Sequence, residues 1–357
     1  MFVAPRFQRA TEFTTELKRR VNLYFESRQE APTGNWHLFS KALILLSGLA
    51  LLYVHLVFFT PAWGWALLEC LVLGLFTASI GFNVMHDGGH GSFSDKPWLN
   101  ELAGMSLNLL GANITMWKTK HNAVHHTFTN IDGVDDDIAA KPYLRMSPDQ
   151  RRFKIHRLQH YYFWFLYALL YIQWISYTDY RKYFTGKVGN VPIKPLTTWE
   201  HISFWSFKML HLLVFVVMPI VFVGFVPWLV GFMVYGSFTG ILLAVVFQLA
   251  HVVEETSFLQ APPAPDSLNL EDEFMVHQLR TTANFATRSK LLGWWLGGLN
   301  YQVEHHLFPN ISHVHYPAIS GIVKQVCLEY KMPYHEHRYF VGALWSHMRH
   351  LRTLGMA

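Results

Sequence analysis

The chain has 357 residues, of which 51% are hydrophobic, 16% aromatic and only 15% charged, against roughly 25% charged in an ordinary soluble protein. That balance excludes a disordered or low-complexity chain and leaves too few charged side chains to cover a purely water-soluble globule; a mean hydropathy of +0.16 is too low for a protein lying wholly in lipid. The net charge of +5 and pI near 9.0 suit a membrane protein facing an anionic leaflet, and no basic stripe interleaved with aromatics points to nucleic acid.

In chain order, a polar, basic stretch with Arg6, Arg9, Lys18, Arg19, Arg20 and Arg28 comes first. A bilayer crossing needs about 20 mostly apolar residues. Residues 38–59 supply one and residues 65–84 a second, and Thr60-Pro61-Ala62 between them reads as the tight turn of a helical hairpin. The first 36 residues are too polar for a cleavable signal, so the first span is expected to act as its own anchor. Two weaker apolar stretches follow. Residues 99–117 carry Glu101, Asn108 and Asn113, and residues 161–177 are rich in Tyr and Trp, as suits a helix at the membrane interface. Residues 204–223 and 226–250 form the third and fourth spans, broken around Gly224 and Pro227.

Both hairpin turns lack Lys and Arg, whereas the long segments outside them carry Lys118, Lys120, Arg151, Arg152 and Lys154 among others. The positive-inside rule therefore puts both ends and the middle segment in the cytoplasm. The expected fold is an all-α integral membrane protein with four transmembrane helices in two hairpins. It forms a single domain over residues 1–357, with a cytoplasmic helical cap from residues 1–37, 85–203 and 251–357.

Twenty-one histidines stand against two cysteines, Cys70 within an apolar run and Cys327 far away. This excludes a disulfide framework and a thiolate-held zinc or iron–sulfur site, so any metal must be held by imidazole. Three clusters stand out: His86-Asp87-Gly88-Gly89-His90, His121-Asn122-Ala123-Val124-His125-His126 and Gln302-Val303-Glu304-His305-His306. His251 follows the fourth span. With two hairpins, all four features emerge on one membrane face.

On a helix, residues four apart share a face, so His121 and His125 can point at one metal, while His126 is turned by about 100° and can diverge toward another. Gln302, His305 and His306 repeat the pattern. The glycines of the first cluster suggest a fraying helix and a backbone that approaches the site closely. Eight imidazoles from four segments exceed what one zinc needs and suit a pair of iron ions.

His55, His201 and His211 read as interfacial side chains. Asp87, Asp135-Asp136-Asp137 and Glu254 are either solvated or accept the outer N–H of ligating histidines. For Asp87 the second role is favoured, because neutral imidazoles leave metal charge uncompensated; for the others both readings stay open. The His-Glu-x-x-His run of zinc proteases does not occur.

With these residues in view, the chain resembles the membrane fatty acid desaturase family, whose histidine boxes H-x3–4-H, H-x2–3-HH and H/Q-x2-HH are matched in order over almost the whole sequence. The runs from Gln278 to Ala286 and from Gly298 to Asn310, and the His313-x-His315-Tyr316-Pro317 tail, carry the likeness further. Gln302 in place of a histidine resembles the front-end subgroup, and within it the bacterial acyl-lipid Δ6 enzymes without a fused electron carrier. The resemblance implies a di-iron centre held by His86, His90, His121, His125, His126, His251, His305 and His306, with Gln302 as ninth ligand.

It also implies O2 as co-substrate, a fatty acyl lipid or acyl-CoA as substrate, and an active site on the cytoplasmic face of a bacterial inner membrane. One departure is Phe247, which stands where some relatives have an Asn that holds a metal-bound water. No His-Pro-Gly-Gly haem motif occurs, so electrons are expected from a separate ferredoxin or cytochrome b5. Trp117, Trp294 and Trp295 either line the path of the acyl chain or, as is commoner for such residues, pack at the membrane interface. A hydroxylase could use the same metal centre. A metal or small-molecule transporter would want its histidines near the bilayer midplane, not at span ends.

Overall fold

Apolar length decides the architecture. In the computed structural model, which describes residues 4–261 and 269–357, four helices are long and apolar enough to cross a membrane: Trp36–Phe59, Trp63–His90, Thr198–Val223 and Phe225–His251. They coincide with the four expected spans.

Helix α1 (Glu12–Arg28) precedes them and buries Phe13, Leu17, Val21 and Phe25, a four-residue spacing that puts one apolar stripe inward. Asn35 caps α2 (Trp36–Val54) by accepting from the His37 backbone N–H; a π-helical turn carries the span on to Phe59. Helix α3 (Trp63–Ile80), a π turn (Gly81–Met85) and α4 (His86–His90) make one continuous rod. It stops at Gly91, whose φ of +73° is the left-handed conformation that ends helices. The first histidine cluster is therefore not a fraying end. Its glycines serve close approach instead, since a Cβ on Gly89 would stand 2.3 Å from the Trp117 ring.

Residues 99–117 do not form one helix. They divide into α5 (Pro97–Leu109) and α6 (Ile114–Lys118), the latter capped by Asn113. Helix α7 (Gln159–Gln173) runs through a π turn into α8 (Asp179–Thr185) and packs along the fourth span. Helix α9 (Thr198–Leu212), opened by a Thr197–Glu200 capping box, continues through a π turn into α10 (Met218–Val223). Gly224, at φ +92°, then turns the chain into α11 (Phe225–His251).

Only 17% of the first and third spans is buried within the protein, against 44% of the second and fourth. So α3 and α11 are central, and the outer pair presents Leu43, Leu51, Val221 and similar side chains outward, as lipid requires.

The remaining helices are α12 (Phe274–Thr281), α13 (Lys290–Trp295), α14 (Gln302–Leu307), α15 (Tyr316–Glu329) and α16 (Phe340–Met356). Leu17 and Val21 of α1 share a core with Leu279, Val303 and Val323 of this group. The chain is mainly helical, as expected, with a few short strands added. Four short two-stranded ladders are present among the described residues, including a parallel one between Ala283–Phe285 and His335–His337. Three of them join segments far apart in sequence, and the fourth is a local hairpin at Lys187–Pro192.

Candidate metal centre

All eight predicted imidazoles come to one place. His86 and His90 end the second span, and His251 is the last residue of the fourth. His121 and His125 sit on a π-helical turn (Thr119–His125) directly after α6, with His126 next in sequence. His305 and His306 lie on α14.

One nitrogen from each of His86, His90, His121 and His305 falls within 4.8 Å of the others, and the same holds for His125, His251 and His306. His126 joins His305 and His306 in a third such group, which links the two. His121 and His125, expected to be able to point at one metal, share a further set with Asp137, and their rings stack with centroids 5.4 Å apart. Backbone bonding in the turn runs from His126 N–H to the His121 carbonyl, 2.9 Å, a five-residue π-helical step.

The donor set fits a pair of metal ions. Nε2 of His90, His125, His251, His305 and His306 is buried with no hydrogen-bond partner among the described residues, an arrangement that is unfavourable unless something occupies the space. Nε2 of His121 lies 3.1 Å from Nε2 of both His86 and His126, with the ring nitrogens converging. Burial, reinforced by the neighbouring imidazoles, holds His121, His126, His305 and His306 well below the ordinary histidine range. They are therefore neutral, as ligation requires. His125 differs: burial pulls it down, but Asp135 and Asp137 outweigh burial and raise it.

The opposite ring nitrogens are held by an outer layer. His125 Nδ1 faces Asp135 at 3.1 Å, His306 Nδ1 the Gln278 Oε1 at 2.9 Å, His305 Nδ1 the Tyr316 hydroxyl at 3.0 Å and His251 Nδ1 the Thr281 carbonyl at 3.1 Å. Asp135 thus takes the supporting role. Asp87 does not, contrary to expectation: its carboxylate accepts from Ser312 Oγ at 2.6 Å and lies 3.0 Å from His313 Nδ1, neither group being one of the eight imidazoles. Glu254 pairs with Arg349 at the surface.

One oxygen of Asp137 also lies 3.3 Å from His125 Nδ1 while the other pairs with Lys120, and Asp136 pairs with Lys182. Gln302 is buried in the first turn of α14, ahead of His305 and His306. Glu304 points elsewhere, accepting from Asn284 and Tyr334, and burial pushes it up to about 7.

Beneath His86 is a narrow apolar cavity lined by Phe82, Met85, Trp117, Leu243 and Phe247. Trp117 thus borders the site as anticipated, whereas Trp294 and Trp295 pack against Lys41 and Phe76 instead.

Comparison with known proteins agrees with this geometry. The fatty acid desaturase family model matches residues 61–338. The chain is 36% identical over 353 residues to the sn-1 linoleoyl-lipid 6-desaturase of Arthrospira platensis, with 98% of this chain and 94% of that protein covered. Its identity to the protein of the same name from Synechocystis sp. is also 36% over 353 residues, covering 99% and 98%. To the acyl-lipid (8-3)-desaturase of Physcomitrium patens it is 36% identical over 349 residues, covering 97% and 72%.

Proposed function

Because this chain belongs to the fatty acid desaturase family, and is thus an enzyme that desaturates fatty acyl chains, we propose that it introduces a front-end, Δ6-type double bond into an acyl lipid using a histidine-held pair of iron ions. The observation that carries the proposal is the set of buried, unpaired Nε2 atoms converging from four chain segments. The proposed ligands are His86, His90, His121, His125, His126, His251, His305 and His306, with Gln302 as a ninth. The Δ6 position and lipid-borne substrate rest on the two linoleoyl-lipid 6-desaturases.

When bound, the iron pair supplies reductive activation of O2: two electrons, two protons and two substrate hydrogens go in, and a double bond and two waters come out. The chain's own part is to hold, orient and exclude. The outer layer of Asp135, Gln278, Tyr316 and the Thr281 carbonyl fixes the rings of His125, His306, His305 and His251. Phe82, Met85, Trp117, Leu243 and Phe247 keep water from the reacting carbons. An alkyl chain offers no polar handle there, so position is set by geometry along the cavity.

The electron donor is a separate ferredoxin or cytochrome b5. The single domain spans residues 1–357 of a bacterial inner-membrane protein, its cap of residues 1–37, 85–203 and 251–357 on the cytoplasmic side of two helical hairpins, a placement supported by the distribution of Lys and Arg.

The test is expression in a host lacking the activity and fed linoleate, with mass spectrometry of the lipids and mapping of the new double bond. The expected product has lost two hydrogens; a gain of one oxygen marks a hydroxylase and overturns the proposal. His125→Ala and His306→Ala are expected to lose both iron and product, and retention of both refutes the ligand set.

A further inference from the structure

Two cavities lie in line along the inner spans, and one pair of tyrosines separates them. The upper is the narrow one beneath His86, about 30 Å³, whose lower wall includes Thr77 and Tyr171. The lower is wide, about 440 Å³, and lies toward the Thr60 and Gly224 ends of the spans; Tyr53, Cys70, Leu73, Phe215, Trp228 and Tyr235 are among its walls. Tyr171 and Tyr235 hydroxyls are 2.9 Å apart, and Thr77 Oγ1 is 3.3 Å from the Tyr235 hydroxyl. A further bond from the Tyr171 hydroxyl to the Leu110 carbonyl, 2.7 Å, anchors that ring. Tyr171 faces the upper cavity and Tyr235 the lower, so the partition is one hydrogen-bonded pair thick.

We propose, on the basis of the acyl-desaturation reading above, that this pair is a length-selecting partition: the methyl end of the substrate chain passes it into the wide cavity, and Tyr235 sets how long a chain is accepted. Helical rise from Thr77 to His86 is about 14 Å. An acyl segment that extends further than this beyond the reacting carbons must displace the pair, and the lower cavity has room to receive it. Apolar walls on both sides match a hydrocarbon occupant, and the pair's few polar atoms satisfy one another, so parting them is opposed by modest hydrogen-bond energies rather than by a buried charge.

The test measures conversion of a linoleoyl probe and of homologues shortened or lengthened at the methyl end by two and four carbons, all supplied together to cells. The readout is the ratio of long to short product within one sample, which is insensitive to how much enzyme folds. Ala66→Phe, which fills the wide cavity far from the histidines, is expected to lower that ratio at least five-fold. Tyr235→Ala is expected to raise it, and Tyr235→Phe to raise it less. Unchanged ratios in Ala66→Phe and Tyr235→Ala, with the parent enzyme active, overturn the partition and leave the wide cavity to an independent membrane lipid. A parent that desaturates none of the probes overturns the underlying acyl-desaturation reading instead.

Discussion

His125 faces Asp135 across 3.1 Å at Nδ1, while its buried Nε2 has no hydrogen-bond partner among the described residues. The pair has the polarity of a ligand and its support: a carboxylate orients the ring and raises its basicity, leaving the other nitrogen free for a metal. Asp135 is itself fixed by the backbone N–H groups of Asn130 and Asp137 at 2.9 and 3.0 Å. Asp135→Asn keeps the shape, removes the charge and turns an amide toward one of those donors. Metal retention is expected to fall about 10–100-fold, measured as iron per chain during titration with a chelator. Parent-like retention would show that Asp135 has only a folding role.

Gln278 is the corresponding support for His306, and it does more. Its Oε1 accepts from Thr129 at 3.0 Å as well as facing His306, and its Nε2 donates to the His126 carbonyl at 3.0 Å. One side chain thus joins the second and third histidine clusters. Gln278→Leu leaves buried partners unsatisfied, which costs about 1–3 kcal/mol for each such group. A lower unfolding midpoint in detergent together with iron loss is expected; a lowered midpoint with iron fully retained would count against a role at the metal site.

Why Gln278 and Tyr316 were not legible as supports, when the eight histidines were, follows from what a sequence records. Apolar runs and same-helix spacings are local, so the four spans and the clusters could be read directly. Which loop packs behind which ring is a long-range fact, separated by 28 residues for Gln278 and His306. Both residues lay in runs that resembled the family, but nothing in those runs stated what they touch. Asp87 misled for the same reason: adjacency to His86 suggested support, yet helical geometry turns it toward Ser312 and His313. The π turn at Thr119–His125 was also invisible, because spacing arguments assume α-helical register, although His121 and His125 still stack across it at 5.4 Å.

Away from the histidines, Lys208 and Asp179 form an ion pair of 3.0 Å between α9 and α8, with both side chains at most 4% exposed. Lys208 also donates to the Gly111 carbonyl at 2.7 Å. Breaking such a pair strands a charge, at about 3–5 kcal/mol, whereas removing both partners together is far less harmful. Lys208→Met alone is therefore expected to unfold at a much lower temperature than Lys208→Met with Asp179→Asn. Additive effects in the double-mutant cycle would contradict direct pairing.

Acid should destabilise the protein partly through His347, which burial pushes down to about 4 despite its bond to the Val252 carbonyl. The folded ring is neutral, taking a bond from the Tyr167 hydroxyl at 2.8 Å. Above the unfolded value near 6.5 neither state binds this proton. As pH falls from there toward 4 only the unfolded chain binds it, so stability is lost across that window and then levels off. The two-and-a-half-unit gap corresponds to about 3 kcal/mol. His347→Gln is expected to flatten the fall in unfolding midpoint between these pH values; an unaltered slope would assign the loss to other groups.

At Gly240 the fourth span lies directly against the backbone of α7. A Cβ there would stand 2.6 Å from the Tyr167 carbonyl oxygen and 2.8 Å from that of Ala168. Both obstacles are backbone atoms of a helix, so no side-chain rotation relieves them and the helices must separate. Overpacking of this kind costs about 1–3 kcal/mol, which outweighs the gain of up to about 1 kcal/mol that Ala normally brings over Gly in a helix. Gly64, at the start of α3, has nothing within 4 Å of the same constructed atom, so there the propensity gain stands alone. Gly240→Ala is expected to lower the unfolding midpoint in detergent and Gly64→Ala to leave it unchanged or raise it. If the two substitutions shift the midpoint alike, the α7–α11 contact is not the close backbone crossing described, and the placement of Tyr171 beneath the site would fall with it.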